Sequence, residues 1–210
     1  MERNVTIILG GLLLLTGCQA GSQTPPHPSL MEPAAVKSMG LVHSQFRATA
    51  TGGLMSTPTP VDLQVEGIDL QLQTGSDPKL VSLDLPVGDM DVSAKAMPPN
   101  GLELRDISLH VPAAAAVKVV HASEDSVEIT AHTPLMLRWR MVLDDGSTWA
   151  LGPTRTEALD LDVSIVRSGD AYTLSLDASC PGECWTLDGI AALRDAQLSL
   201  AADVDVTQTK

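Results

Sequence analysis

The chain has 210 residues, of which 26 are acidic and 13 are basic, so its formal net charge is −13 at pH 7. Phosphate recognition depends on clustered Lys and Arg, which this chain lacks, so nucleic acids and anionic membrane surfaces are poor partners. One Phe, one Tyr and three Trp leave few platforms for stacking bases or sugars. The apolar residues are mainly aliphatic, and a chain of this length can bury one good core, so we expect a single folded domain.

The N-terminus has the pattern of an export signal. Arg3 precedes an apolar run from Val5 to Leu15, and Thr16 and Gly17 lead into Cys18. The run is too short to span a bilayer permanently, which indicates a secretory signal peptide. An ordinary secretory signal and an uncleaved anchor are the alternatives.

The motif Leu15-Thr16-Gly17-Cys18 resembles the lipobox of bacterial lipoproteins. The resemblance implies that residues 1–17 are removed and that Cys18 receives diacylglycerol, including palmitate-type acyl chains, and becomes the first residue. Such an anchor would hold the chain on a membrane of the cell envelope. By analogy with enteric lipoproteins, Gln19 implies export to the outer membrane, facing the periplasm.

Residues 18–33 are rich in Ser, Gln, Gly and Pro, a composition typical of a flexible tether after the lipidated cysteine. From Pro33 to Arg47 the sequence fits one short N-terminal helix, because Val36, Met39, Val42 and Phe46 would share a face. A strand starting near Gly40 is the competing prediction. Residues 34–210 are expected to form one β-rich domain.

Beyond this segment apolar and polar residues alternate with a period of two, which indicates strands with one buried face. The apolar phase flips three times, at Glu66-Gly67, Gly88-Asp89 and Arg105-Asp106. An extra residue in a strand moves all following side chains to the other face, so each flip predicts a β-bulge within a curved strand. The alternative is that each flip separates two short strands.

Two hairpins have phases that can be checked. A three-residue loop at Asp144-Asp145-Gly146, with Gly146 left-handed, pairs Met141 with Trp149 and Trp139 with Leu151. A two-residue loop at Ser168-Gly169 has the following predicted pairs: Ile165 with Tyr172, Val163 with Leu174, Leu161 with Leu176, and Leu159 with Ala178. Their opposite face would carry Asp160, Asp162, Ser164, Thr173, Ser175 and Asp177 into solvent.

A last strand is predicted from Gln197 to Val206. The fold class is therefore mainly β, an antiparallel, meander-rich curved sheet in the form of a half-barrel or a β-sandwich.

Cys180 and Cys184 enclose Pro181-Gly182-Glu183, and in an exported compartment we expect them to form a structural disulfide. Reduced thiols or a metal site are the alternatives.

His110, His121 and His132 recur every eleven residues. His110 and His132 are predicted to point away from the apolar face and His121 toward it, so no shared metal site is expected. Paired acids are expected to be surface charge. No nucleophile elbow, P-loop or zinc-protease motif occurs, so we expect no enzyme activity and no cofactor.

The strand Gly101-Leu102-Glu103-Leu104-Arg105-Asp106-Ile107-Ser108-Leu109-His110-Val111 resembles repeats of AsmA-like and TamB-like envelope proteins. The chain's size and anchor resemble LolB-like carrier-acceptor lipoproteins of the outer membrane. Both resemblances imply a sheet that handles lipid in a groove.

Two functions follow as hypotheses. The first is binding or transfer of a lipid or acyl chain on the aliphatic concave face of the sheet. Its lipid-facing candidates are Leu161, Val163, Ile165, Leu174 and Leu176. The second is a closed β-sandwich that serves as a structural or protein-interaction module at the outer membrane. The expected partners are the membrane, through the lipid anchor, and either a lipid ligand or an envelope protein.

Overall fold

The computed structural model describes residues 27–52, 58–88, 90–91, 102–111, 114–143, 146–187 and 191–209. These residues form twelve strands and no helix. The strands are β1 (Ala34–Ser38), β2 (His43–Thr51), β3 (Thr59–Leu63), β4 (Asp69–Gln73), β5 (Lys79–Val87), β6 (Met90–Asp91), β7 (Leu102–His110), β8 (Ala115–Ala122), β9 (Ser126–Leu143), β10 (Thr148–Ser168), β11 (Ala171–Leu187) and β12 (Ala191–Gln208).

The segment predicted as one short N-terminal helix is instead β1 and the start of β2, so the strand alternative is the correct one. Gly40 lies between the two strands with φ +83, a left-handed conformation that interrupts a helix. Val36 and Phe46 are buried, each in strand register with β12, where Val36 is opposite Val206 and Phe46 opposite Leu198. Pairing with a distant strand therefore decides the local structure of this segment.

All strand pairs are antiparallel, and together they form a closed circuit. The order is β1-β4-β5-β7-β9-β10-β11-β12, and β12 pairs again with β1. The remaining strands extend the sheet at ring positions that these strands already occupy. Thus β2 pairs with β12 beyond β1, β8 pairs with β9 beyond β7, β3 pairs with β2, and β6 pairs with β7. The mainly β, antiparallel, curved sheet predicted from the sequence is confirmed. It is a single sheet that curves into a ring, and the pairing of β1 with β12 completes the circuit.

The ring has two ends, which are distinguished by the strands that begin or end there. We call the end where β1, β5, β9 and β11 begin the lower end, and the opposite end, where β2 ends and β12 begins, the upper end. The chain enters the ring at the lower end.

The β9–β10 hairpin has the predicted register. Met141 is opposite Trp149 and Trp139 is opposite Leu151, and Gly146 has φ +78. The β10–β11 hairpin is two residues out of the predicted register. Its turn is Gly169-Asp170, so Ile165 is opposite Leu174 and Val163 is opposite Leu176. Because a strand repeats every two residues, the shift leaves each side chain on its predicted face.

One of the three predicted phase flips is a bulge within a strand. In β7 the register against β9 shifts between Arg105 and Ser108, and Asp106 has φ +51. At Glu66-Gly67 the flip separates β3 from β4, and at Gly88-Asp89 it separates β5 from β6, so the alternative of two short strands applies there.

The core is one continuous cluster of aliphatic side chains on the inner face of the ring. Residues that pair directly across strands point the same way, so the pairs define layers that run around the interior. One such layer consists of Leu63, Phe46, Leu198, Ala178, Leu161, Ala131 and Val117. Each fully buried Leu or Val side chain contributes about 1.5–3 kcal/mol of hydrophobic free energy, so these layers hold the ring together.

Candidate functional site

The five residues predicted to face a lipid line the ring interior from the layer that contains Leu161 down toward the lower end. Leu161, Val163, Ile165, Leu174 and Leu176 face inward as predicted, and none is more than 3% exposed. They belong to the same cluster as the buried side chains of β1, β4, β5 and β9. Side chains from the opposite wall of the ring therefore cover the aliphatic face of β10 and β11.

The lower end is closed by the segment that precedes β1. Leu30 is 1% exposed, its backbone N–H donates to the Glu124 carbonyl oxygen at 3.2 Å, and its own carbonyl oxygen accepts from Thr74 Oγ1 at 3.0 Å. Tyr172 Oη donates to the Pro28 carbonyl oxygen at 2.7 Å, and burial raises the pKa of this hydroxyl above its usual value. We call the segment from Pro28 to Pro33 the lower plug.

The lower plug changes the expected domain boundary. The sequence places a tether over residues 18–33, but the Gln208 side-chain amide donates to the Ser29 carbonyl oxygen at 2.8 Å, and Thr209 N–H donates to the Pro33 carbonyl oxygen at 2.9 Å. The folded domain thus begins no later than Pro28. Cys18 and the rest of the lipobox lie outside the described residues.

The upper half of the interior contains alanines among larger side chains. Ala48, Ala50 and Ala196 are buried there together with Leu137, Leu159 and Leu193. Phe46 packs against Trp185, with ring centroids 6.1 Å apart and planes tilted by 51°. A cavity of about 10 Å³, room for a single water-sized sphere, lies beside this aromatic pair. Its lining consists of Phe46, Leu109, Leu135, Leu159, Ala178, Ser179, Cys180, Trp185, Ala196, Gln197 and Leu198.

The predicted disulfide between Cys180 and Cys184 is not present in the structure. Both cysteines are buried in β11, and Cys184 Sγ donates to the Cys180 carbonyl oxygen at 2.7 Å. The sequence suggested a tight turn at Pro181-Gly182, but the strand instead continues through this stretch with a bulge against β12. The bulge is the physical reason for the difference, because it directs the Cys184 thiol toward a backbone carbonyl.

This bulge faces a second one in β12. Gly182 has φ +78 and Asp195 has φ +52, and the Gly182 N–H donates to Asp195 Oδ1 at 2.8 Å. Bulges re-aim side chains, and here two consecutive residues, Cys184 and Trp185, are both buried. The Trp185 Nε1 group has no hydrogen-bond partner among the described residues.

No protein-family model matches the chain, and no curated protein or solved structure is significantly similar to it. No helix of the described residues is long and apolar enough to cross a membrane. Within the same part of the chain, no group of three or more His, Cys, Asp or Glu side chains is placed to hold a metal ion.

The three histidines occupy different environments. His132 points outward as predicted, and its Nδ1 lies 3.0 Å from Asp160 Oδ1. His121 is exposed, contrary to the prediction, because β8 has a bulge against β9 between Val119 and His121 that turns the ring outward. His110 pairs with Asp84 in the strand register but is only 6% exposed.

The ionisation of His110 reflects this burial. Burial lowers the pKa of the imidazole below its usual value, and the nearby Arg138 guanidinium lowers it further, while the Asp84 carboxylate opposes both. The neutral imidazole is therefore the form that the fold favours. The contribution of this side chain to stability is present above the unfolded-state pKa of about 6.5 and is lost as the pH falls below it.

The outer face of β10 and β11 is acidic, as predicted. Asp160, Asp162 and Asp177 are exposed, and Asp162 lies directly opposite Asp177. A shallow groove of about 230 Å³ runs over this face, with Arg47 on its border. These three aspartates are among the 26 acidic residues of the chain.

Sequence reasoning missed the lower plug and the Phe46–Trp185 pair. Leu30 and Met31 are an isolated apolar pair in a polar, Pro-rich stretch, and no periodicity marks either of them for burial. The aromatic residues carried a usable signal. The chain has only one Phe and three Trp, so an aromatic residue at an inward-facing strand position is uncommon and could have marked this pair.

Proposed function

We propose that the chain is a lipid-anchored cell-envelope protein whose folded ring is a non-catalytic structural or protein-interaction module. The observation that carries this proposal is that the ring interior is occupied by the protein's own side chains, including the five lipid-facing candidates. The outer surface is then the part of the domain that is available to other molecules. The lipobox resemblance at Cys18 supports the anchor, and Gln19 supports placement on the periplasmic side of the outer membrane.

The lower plug fits this arrangement. The chain that leads from Cys18 reaches the domain at Pro28, which Tyr172 holds by a hydrogen bond. Cys18 and Pro28 are ten residue steps apart in the sequence, and this stretch spans at most about 33–36 Å when fully extended. A membrane-bound Cys18 would thus keep the ring close to the bilayer and its lower end nearest to it.

Replacement of Cys18 with serine tests the anchor. We expect Cys18→Ser to incorporate no labelled palmitate and to keep residues 1–17, because the modified thiol is what the lipoprotein pathway would act on. Metabolic labelling and intact-mass measurement of the full chain check this. Ser22→Ala is the matched control, since it leaves Leu15–Cys18 unchanged. Wild-type chain that carries no acyl group, or label that persists in Cys18→Ser, would contradict the proposal.

Lipid carriage is the second candidate function, and one observation favours it. An eight-position closed sheet is wide enough to hold a small ligand, and Ala178 and Ala196 border the small cavity beside the Phe46–Trp185 pair. An acyl chain that entered from the upper end would approach this cavity.

Lipid extraction of the purified full chain separates the two functions. Because the lower half is filled, we expect no stoichiometric phospholipid beyond the covalently attached acyl chains. Native mass spectrometry after addition of phospholipid should likewise show only the lipid-free mass. One equivalent of bound lipid, in either measurement, would replace the interaction module with a lipid carrier.

A further inference from the structure

The exposed apolar side chains of the ring are concentrated at its lower end. Among the described residues, four of the six large hydrophobic side chains that are exposed lie there. Met31 belongs to the lower plug and is 47% exposed, and Val120, near the end of β8, is 57% exposed. Val81 and Val166 are 40% and 42% exposed, close to the lower ends of β5 and β10.

Three of these side chains lie on the same side of the ring, on strands that are paired directly or separated by one strand. β8, which carries Val120, pairs with β5, which carries Val81, and with β9. β9 in turn pairs with β10, where Ser126 is opposite Val166. We call Met31, Val81, Val120 and Val166 the lower rim. Among the described residues each of these four side chains is at least 40% exposed, although an exposed valine on a strand costs solvation free energy.

The position of the chain outside the structure indicates what covers the lower rim. The chain that follows Cys18 joins the domain at this end, and the ten residue steps from Cys18 to Pro28 cannot span more than about 33–36 Å. A surface that holds Cys18 would therefore be within reach of the lower rim.

The charges at the lower end favour a partner surface that is not anionic. Arg167 pairs with Asp125 at 2.9 Å, and Lys79 pairs with Asp77, so two of the basic groups near this end are already neutralised by the protein. Glu124 and Asp170 add negative charge to the same turns. This end therefore offers apolar contact without the cationic patch that recognition of anionic lipid requires.

We propose that the lower rim rests on the bilayer that carries the acyl chains of Cys18, with zwitterionic phospholipid as its partner. This inference rests on the proposed lipid anchor. It fixes the orientation of the domain: the upper end, with the Phe46–Trp185 pair, points away from the membrane. Met39 and Leu41, the two other exposed apolar residues, lie in the β1–β2 connection on the side wall and stay in water.

A pair of spin labels on the full, lipidated chain tests the orientation. One label is placed by Val120→Cys at the lower rim and the other by Leu41→Cys on the side wall, where the side chain is 75% exposed. Both proteins are purified from membranes and reconstituted into phosphatidylcholine vesicles. The chain without either substitution serves as the control for labelling of the buried Cys180 and Cys184.

The readout is the accessibility of each label to oxygen, which concentrates in lipid, relative to a water-soluble nickel chelate. We expect a severalfold higher oxygen-to-nickel ratio at position 120 than at position 41, and a label placed by Val166→Cys should match position 120. Equal ratios in chain that stays with the vesicles would overturn the docked orientation while leaving the anchor intact. A lipid-like environment at position 41 alone would overturn it as well. Chain that does not stay with the vesicles would instead contradict the anchor, and this outcome is recognised by sedimentation before any label is read.

Discussion

Replacement of Leu30 with alanine is expected to lower the free energy of unfolding by about 2–5 kcal/mol, the usual cost of truncating a buried leucine. Leu30 is 1% exposed and is the apolar side chain with which the lower plug closes the ring. Its truncation leaves a cavity between the plug and the ends of the strands, and the plug's hydrogen bonds to Glu124 and Thr74 lose their packing support. Urea denaturation of the full chain measures the change.

The neighbouring residue provides a matched control. Met31 belongs to the same segment but is 47% exposed, so Met31→Ala should change the free energy of unfolding by no more than about 0.5 kcal/mol. If the two substitutions had equal small effects, the segment from Pro28 to Pro33 would be a tether and not part of the folded domain.

Replacement of Leu176 with alanine is the second large effect that we expect, again about 2–5 kcal/mol of lost stability. Leu176 is fully buried and lies directly opposite Val163 and Leu200 on the inner face. Truncation of a leucine that lined an open groove for lipid would lower the free energy of unfolding far less, because water or ligand already contacts that side chain. The unfolding midpoint in urea therefore separates a core residue from a lipid-facing one.

Ser175→Ala is the control for that experiment. Ser175 is the adjacent residue of β11 and faces solvent, so its truncation should leave the midpoint nearly unchanged. A Leu176→Ala protein as stable as Ser175→Ala would return Leu176 to the candidate lipid surface.

The period of two carried most of the fold prediction. It identified the buried and exposed faces of β10 and β11 correctly, down to the acidic Asp160, Asp162 and Asp177. It could not fix the register of that hairpin, because a shift of two residues preserves every face and only the turn decides between the two registers. With Gly169 at the first central position, a turn at Gly169-Asp170 has the glycine where the left-handed conformation is needed.

Features that depend on distant parts of the chain were beyond sequence reasoning. Closure of the sheet needs β1 to pair with β12, and neither strand has a local signal that names its partner. Leu30 becomes buried only in the open end of the ring, and this ring exists only after the sheet has closed. The unformed disulfide has the same origin, since the bulge at Cys180–Cys184 is held by Asp195 on the neighbouring strand.

The pairing of the first strand with the last has a consequence for how this chain folds. Export of the kind that we propose would deliver the polypeptide from its N-terminus, so β1 would emerge long before Val204–Gln208, the residues that complete its pairing. Until then the meander has two open edges, and open edges of strands are templates for aggregation. Contacts between the ends of a sequence also form slowly. A membrane-tethered intermediate of this protein would thus persist in the envelope, and we expect it to depend on periplasmic chaperones more than a domain built from local contacts would.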